Sequence, residues 1–163
     1  MRYKRELEAL KYIDQLDAQL NSHKEERELY SKKQIEELRK EYPQIPEDYL
    51  DYLSEIGAGS FGKEFSTIWG ELCEIQDFYD ESLLEFLDFE ERVVQFGCDP
   101  SGKALVFLID ENWEVGEIWD DDLGSIYRIG KTFYDYICEI IDCLYKVERK
   151  SNFIVNDKSE NSN

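Results

Sequence analysis

The sequence predicts an α+β fold: helices first, then an antiparallel or mixed sheet of about five to six strands, then a closing helix. Two observations predict it. Apolar residues recur at helical spacing up to residue 56 and again after residue 132, whereas between 65 and 129 they fall in short runs. Strings rich in Asp, Asn, Gly and Pro separate those runs at the spacing of a meander. With 163 residues, 42% hydrophobic and 14% aromatic, the chain has enough material for a core of its own.

The first helix is expected over 3–28, where Tyr3, Leu7, Leu10, Ile13, Leu16 and Leu20 share one stripe. Ser31 starts a second, and Gln34 three residues on completes a capping-box pattern; Ile35, Leu38 and Tyr42 form its apolar face. Pro46 suits the first turn of a third helix, since its missing N–H is not needed there. Tyr49, Leu50, Leu53 and Ile56 give that helix its core face, and Gly57 ends it.

Phe65–Trp69 and Glu71–Ile75 read as two short strands, or as one bent around Gly70. Residues 77–91 read as a short helix through Leu83, Leu84 and Leu87. Strands are expected at Arg92–Phe96, Ala104–Ile109, Glu114–Trp119 and Ser125–Ile129. Thr132 is a good N-cap for a last helix with Phe133, Ile137, Ile140, Ile141 and Leu144 on one face. In this division 1–28 is a helical extension, 29–150 the α+β domain and 151–163 a polar, frayed tail.

Charge narrows the function classes. The chain carries 19 basic and 38 acidic residues, a net of −19. Residues 41–130 hold 4 basic and 23 acidic residues, so the middle of the chain accounts for the whole imbalance. Such a surface repels nucleic-acid phosphates and anionic lipids and attracts basic partners by long-range steering. Neither nucleic acid nor membrane is expected as a partner. The N-terminal segment lacks an uninterrupted apolar h-region, and no stretch approaches the roughly 20 apolar residues of a membrane span. Cys73, Cys98, Cys138 and Cys143 form no C-x-x-C pair, and a chain with its own core needs no disulfide staples. The reading is a cytoplasmic protein.

Three motifs suggest chemistry and fail on context. Gly57-Ala58-Gly59-Ser60-Phe61-Gly62 satisfies G-x-G-x-x-G, but it follows a helix and precedes a strand, the reverse of a dinucleotide site. A D-x-N start at Asp110 fits a calcium loop, but the sixth position is Val115 where the turn needs glycine. His23 is the only histidine and lies in a charged helical stretch, with no second histidine to build a catalytic pair. No catalytic residue, cofactor or metal is assigned; the protein reads as a non-enzymatic binder.

Several short strings resemble the SUKH superfamily, which includes bacterial toxin-immunity proteins and yeast cell-wall-synthesis regulators. Ile45-Pro46-Glu47-Asp48-Tyr49 is similar to the family's Leu-Pro-x-x-Tyr helix start, and Gly57-Ala58-Gly59 stands where it has Asn-Gly-Gly. Phe96-Gly97, Gly102, Val106-Phe107 and Asp110 resemble its central segment, and Ile129–Tyr136 its closing helix. The likeness covers about 31–145; residues 1–28 have no counterpart. It implies a sheet packed by helices and an immunity protein that neutralises a cognate toxin. The alternative it implies is an acidic scaffold or regulator of the cell-wall type.

Charge and resemblance together suggest occlusion of a basic, nucleic-acid-targeting toxin domain. The expected contact residues lie in the acidic turns: Asp99, then Asp110, Glu111, Trp113 and Glu114, then Asp120, Asp121 and Asp122. Successive meander turns alternate between the ends of a sheet, so Asp99 and Asp120–Asp122 should share one end and Asp110–Trp113 the other. Asp is also common in turns for backbone reasons alone. Trp113 reads either as an interface anchor or as a cap on the core.

Overall fold

A computed structural model describes residues 1–20, 27–62, 66–77, 92–119 and 125–160. Within them the helices are α1 (Lys4–Leu20), α2 (Lys32–Glu41), α3 (Glu47–Glu55) and α4 (Phe133–Glu160). The strands are β1 (Gly59–Ser60), β2 (Thr67–Glu74), β3 (Val93–Cys98), β4 (Ala104–Leu108), β5 (Glu114–Trp119) and β6 (Ser125–Arg128). Single 3₁₀ turns follow β2 at Ile75–Asp77 and β4 at Ile109–Glu111. The architecture is α+β, with the strands in chain order and every neighbouring pair antiparallel. A helix-led, sheet-centred, helix-closed chain is what the pattern predicts.

Helices cover one sheet face. Side chains alternate across a strand, so Val94 and Phe96 of β3 face the helices with Leu105 and Phe107 of β4, while Val93 and Val106 point the other way. Tyr49 of α3 is the hub of the helix side. Its ring makes edge contacts with Phe96, Phe107 and Phe133, at centroid distances of 6.2, 5.4 and 5.2 Å. Buried hydroxyls need partners, and Tyr49 Oη donates to the Trp69 carbonyl at 2.5 Å. Asp48 ties α3 to α4: its carboxylate accepts the Tyr134 N–H at 2.9 Å, in the first turn of α4. Thr132 Oγ1 accepts the next amide, Asp135 N–H, at 3.2 Å. Two of that helix's otherwise unpaired donors are thereby satisfied.

Ser31 caps α2 as expected, with the reciprocal bonds to Gln34 both present. Four boundaries differ from the sequence reading. The helix expected over 3–28 does not extend to 28: Glu28 forms a bridge with Ala58, exchanging N–H···O bonds of 2.8 Å in both directions. The cause is visible in composition, since no apolar residue lies between Leu20 and Leu29 and the buried stripe has nothing to extend it. Pro46 sits one position earlier than expected, as the N-cap of α3. β1 is too short to carry a period and was not foreseen. The closing helix runs on to Glu160 rather than ending near 150.

β2 is the bent-strand alternative. Thr67 and Ile68 pair with Cys98 and Gly97, whereas Cys73 and Glu74 pair with Gln95 and Val94, so the stretch between them bulges. Gly70 lies in this bulge beneath the Tyr30 side chain; a Cβ there would fall 1.8 Å from Tyr30 Oη. Most of the helix expected over 77–91, together with Phe65, lies outside the described residues.

Candidate partner-binding surface

The meander places the predicted turns at opposite ends. β3 and β4 close on the Asp99 hairpin, with Cys98 opposite Ala104, and Trp119 pairs with Ser125 at that same end. The Ile109–Glu111 turn joins β4 to β5 at the other. Asp120, Asp121 and Asp122 lie outside the described residues.

Asp99 has a backbone task. Its Oδ1 accepts the Ser101 and Lys103 amides, both at 2.9 Å, and the Ser101 hydroxyl at 2.8 Å. An Asx-type turn of this kind fixes the hairpin whatever the protein binds. Lys103 lies 3.9 Å from the second carboxylate oxygen and 3.8 Å from the Trp119 ring centroid. Trp119 in turn packs on Tyr127, centroids 4.7 Å apart, and donates its indole N–H to Glu117 at 3.0 Å. Tyr127 is 39% exposed. An aromatic pair beside a cation therefore accompanies the acidic turn, a grouping that sequence spacing alone does not single out.

At the opposite end Asp110 accepts the Arg92 N–H at 3.0 Å, and Glu111 pairs with Arg128 at 2.6 Å. Both carboxylates are thus engaged within the fold. Glu114 stands partly exposed at the start of β5. Trp113 does not present an anchor. Asn112 and Trp113 both adopt positive φ, 55° and 59°, which turns the indole inward. It is 6% exposed, packed at 5.9 Å on Tyr42 and 5.7 Å on Phe107. The core-cap alternative describes it. The structure therefore groups Asp110, Glu111 and Glu114 at one end, leaves Asp99 at the other, and withdraws Trp113 from the surface.

A third acidic region was missed. Tyr30 follows the Glu28–Ala58 bridge and lies between α2 and the outer side of β2. A groove of about 340 Å³ flanks it, lined by Gln34, Glu37 and Glu41 of α2 and by Glu71 of β2. Among the described residues no cation lies within 4 Å of Glu28, Glu41 or Glu71. The field shows in neighbouring groups. Burial first, then Glu71 and Glu28, pushes the Tyr30 phenol up, and burial with Glu71 and Asp77 does the same to the Cys73 thiol. No single stretch of sequence signals this region, because it is assembled from residues near 30, 40 and 70. Glu28 and Glu37 also belong to the N-terminal forty residues, whose net charge is only +1.

The glycine string is a helix stop, as expected. Gly57 N–H donates to the Tyr52 carbonyl at 3.0 Å, and its φ of 102° turns the chain out of α3 into β1. All four cysteines are free. His23 lies outside the described residues. No described helix is long and apolar enough to cross a membrane. No protein-family model, curated protein or solved structure matches the chain.

Proposed function

We propose that this chain is a non-enzymatic immunity protein of the SUKH-like kind, occluding a basic toxin domain through its acidic surface. The observation that carries the reading is the concentration of charge: 23 acidic against 4 basic residues within 41–130. Self-repulsion on that scale is more than solubility asks for. Glu114 at one end of the meander and Glu28, Glu41 and Glu71 beside the outer side of β2 have no cation within 4 Å among the described residues, so a cationic surface approaching there meets negative potential. Complementarity of this type raises encounter rates more than it raises final affinity.

A large toxin with a basic C-terminal domain, encoded by a neighbouring gene, is the partner to test. The purified toxin domain should form a stoichiometric complex with this protein, and co-expression should protect cells from it. Its association rate should fall by about tenfold or more as salt rises from low ionic strength to several hundred millimolar. Absence of a complex, or an association rate flat across that range, would contradict the reading. A housekeeping partner with no toxin gene nearby would favour the acidic scaffold instead.

A further inference from the structure

We infer that the outer edge of β2, from Gly70 to Glu74, accepts an extended, lysine- or arginine-bearing segment of the partner as an added strand. The inference rests on the basic-partner reading for the charge of the occupant and on the sheet itself for the mode of binding.

β1 contributes only two residues and pairs with β2 at Thr67 and Ile68 alone. Beyond Ile68 no described strand lies on that side. The chain that would have continued β1 turns away instead, because Ala58 pairs with Glu28. A groove of about 390 Å³ runs along this side of β2, with Glu28, Tyr30 and Ala58 on its other wall. Trp69 has its carbonyl occupied by Tyr49, so the open edge begins at Gly70. Five residues of strand span about 17 Å, enough to pair an incoming strand of similar length. Alternate residues of a strand edge direct both N–H and C=O outward, the template used in strand addition. The bulge between Ile68 and Cys73 breaks that alternation at the Gly70 end, so regular pairing is offered at Cys73 and Glu74 and the added strand follows the bend before them.

Charge selects the occupant. Open edges are commonly guarded by charged side chains, lysine above all, or by proline; this one carries Glu71, while Glu74 is already held by Arg92 at 2.8 Å. Pairing with a second copy would bring the Glu71 carboxylates of the two edges toward each other, an unfavourable cross-strand arrangement. An acidic segment meets the same penalty. A basic segment meets Glu28, Glu41 and Glu71, none of which has a cation within 4 Å among the described residues. The Tyr30 ring, placed over Gly70, offers an aromatic surface for a lysine or arginine side chain.

The test uses the full chain and two blocked peptides, acetyl-(Lys-Val)4-amide and acetyl-(Glu-Val)4-amide, read by amide chemical shifts and hydrogen exchange. The lysine peptide should shift and protect amides within 70–74 at low salt, and the glutamate peptide should not. Glu71→Gln should weaken the lysine peptide by about threefold and Glu71→Lys by about tenfold; Glu71 is exposed, so neither variant threatens folding. Lysine-peptide binding confined to the Asp99 or Asp110 ends overturns the edge and leaves the basic-partner reading standing. No binding at all, or equal protection by both peptides, also overturns the edge. The basic-partner reading is judged separately by whether the toxin domain forms a complex: a complex that leaves 70–74 unprotected refutes only the inference made here.

Discussion

Trp113 reaches the core because the backbone ahead of it is left-handed. Asn tolerates that conformation well, as at Asn112, but a bulky residue at φ 59° carries a cost of about 1–2 kcal/mol. Contacts with Tyr42 and Phe107 offset it, since burying a large aromatic contributes several kcal/mol. Among the described residues the buried indole N–H has no partner, which subtracts from the gain. Trp113→Ala should therefore lower unfolding free energy by about 3–5 kcal/mol. Trp113→Phe, which preserves an aromatic ring and removes the unpaired donor, should cost less than half as much. Urea titration distinguishes this from an interface anchor, whose loss would leave the midpoint of the free protein within the scatter of an ordinary surface substitution. Asp99 shows the same priority of internal over external duty, because three donors converge on one of its oxygens.

Among the elements, Gly57 couples helix termination to sheet formation. It ends α3, and a Cβ at this position would lie 2.7 Å from the Glu28 carbonyl oxygen, the atom that accepts the Ala58 amide. Gly57→Ala should strain the left-handed turn and push the bridge apart, costing about 1–3 kcal/mol in all. The exchange protection of the Glu28 and Ala58 amides should fall with it; unchanged stability and protection would show that the bridge tolerates displacement. This coupling also explains how much of the fold was legible. Ser31 with Gln34, Thr132 and the apolar stripes of α2 and α3 act within a few residues of themselves, so sequence displays them directly. The strands β3 to β6 are likewise marked by their own turns. The Glu28–Ala58 bridge joins residues thirty apart, and no local period announces it or the two-residue β1 that follows. Trp113 belongs with these cases, since two consecutive positive φ values are not a pattern that a tryptophan advertises. The groove beside Tyr30 was hidden for the same reason: its acids come from three separated segments, and only the sheet edge brings them together.

Across the whole molecule, the net charge of −19 acts on stability and on association with opposite sign. In the free protein it is self-repulsion, worst in the compact state. Local cations relieve it unevenly. Arg39 holds Glu47, and Lys146 holds Asp142, each below the ordinary carboxylate range through a side-chain hydrogen bond. Because those folded values are depressed, the contribution of both pairs is complete above the unfolded carboxylate pKa and is lost as pH falls through the folded one. Between pH 7 and 5 both pairs therefore stay intact, and salt can be varied there without titrating them. Raising sodium chloride from about 10 to 300 mM shortens the Debye length from about 30 Å to well under 10 Å. Repulsion among dispersed carboxylates weakens at once, whereas contacts such as Arg27 with Asp14, at 2.7 Å and mostly buried, are screened much less. The melting temperature of the free protein should accordingly rise with salt, by about 2–4 °C for each kcal/mol of repulsion removed in a chain of this size. Potassium chloride at equal ionic strength should produce the same rise, which separates screening from specific ion binding. A melting temperature that stays flat or falls over this range would mean that the acidic residues are already compensated within the fold, leaving no excess field to draw in a cationic partner.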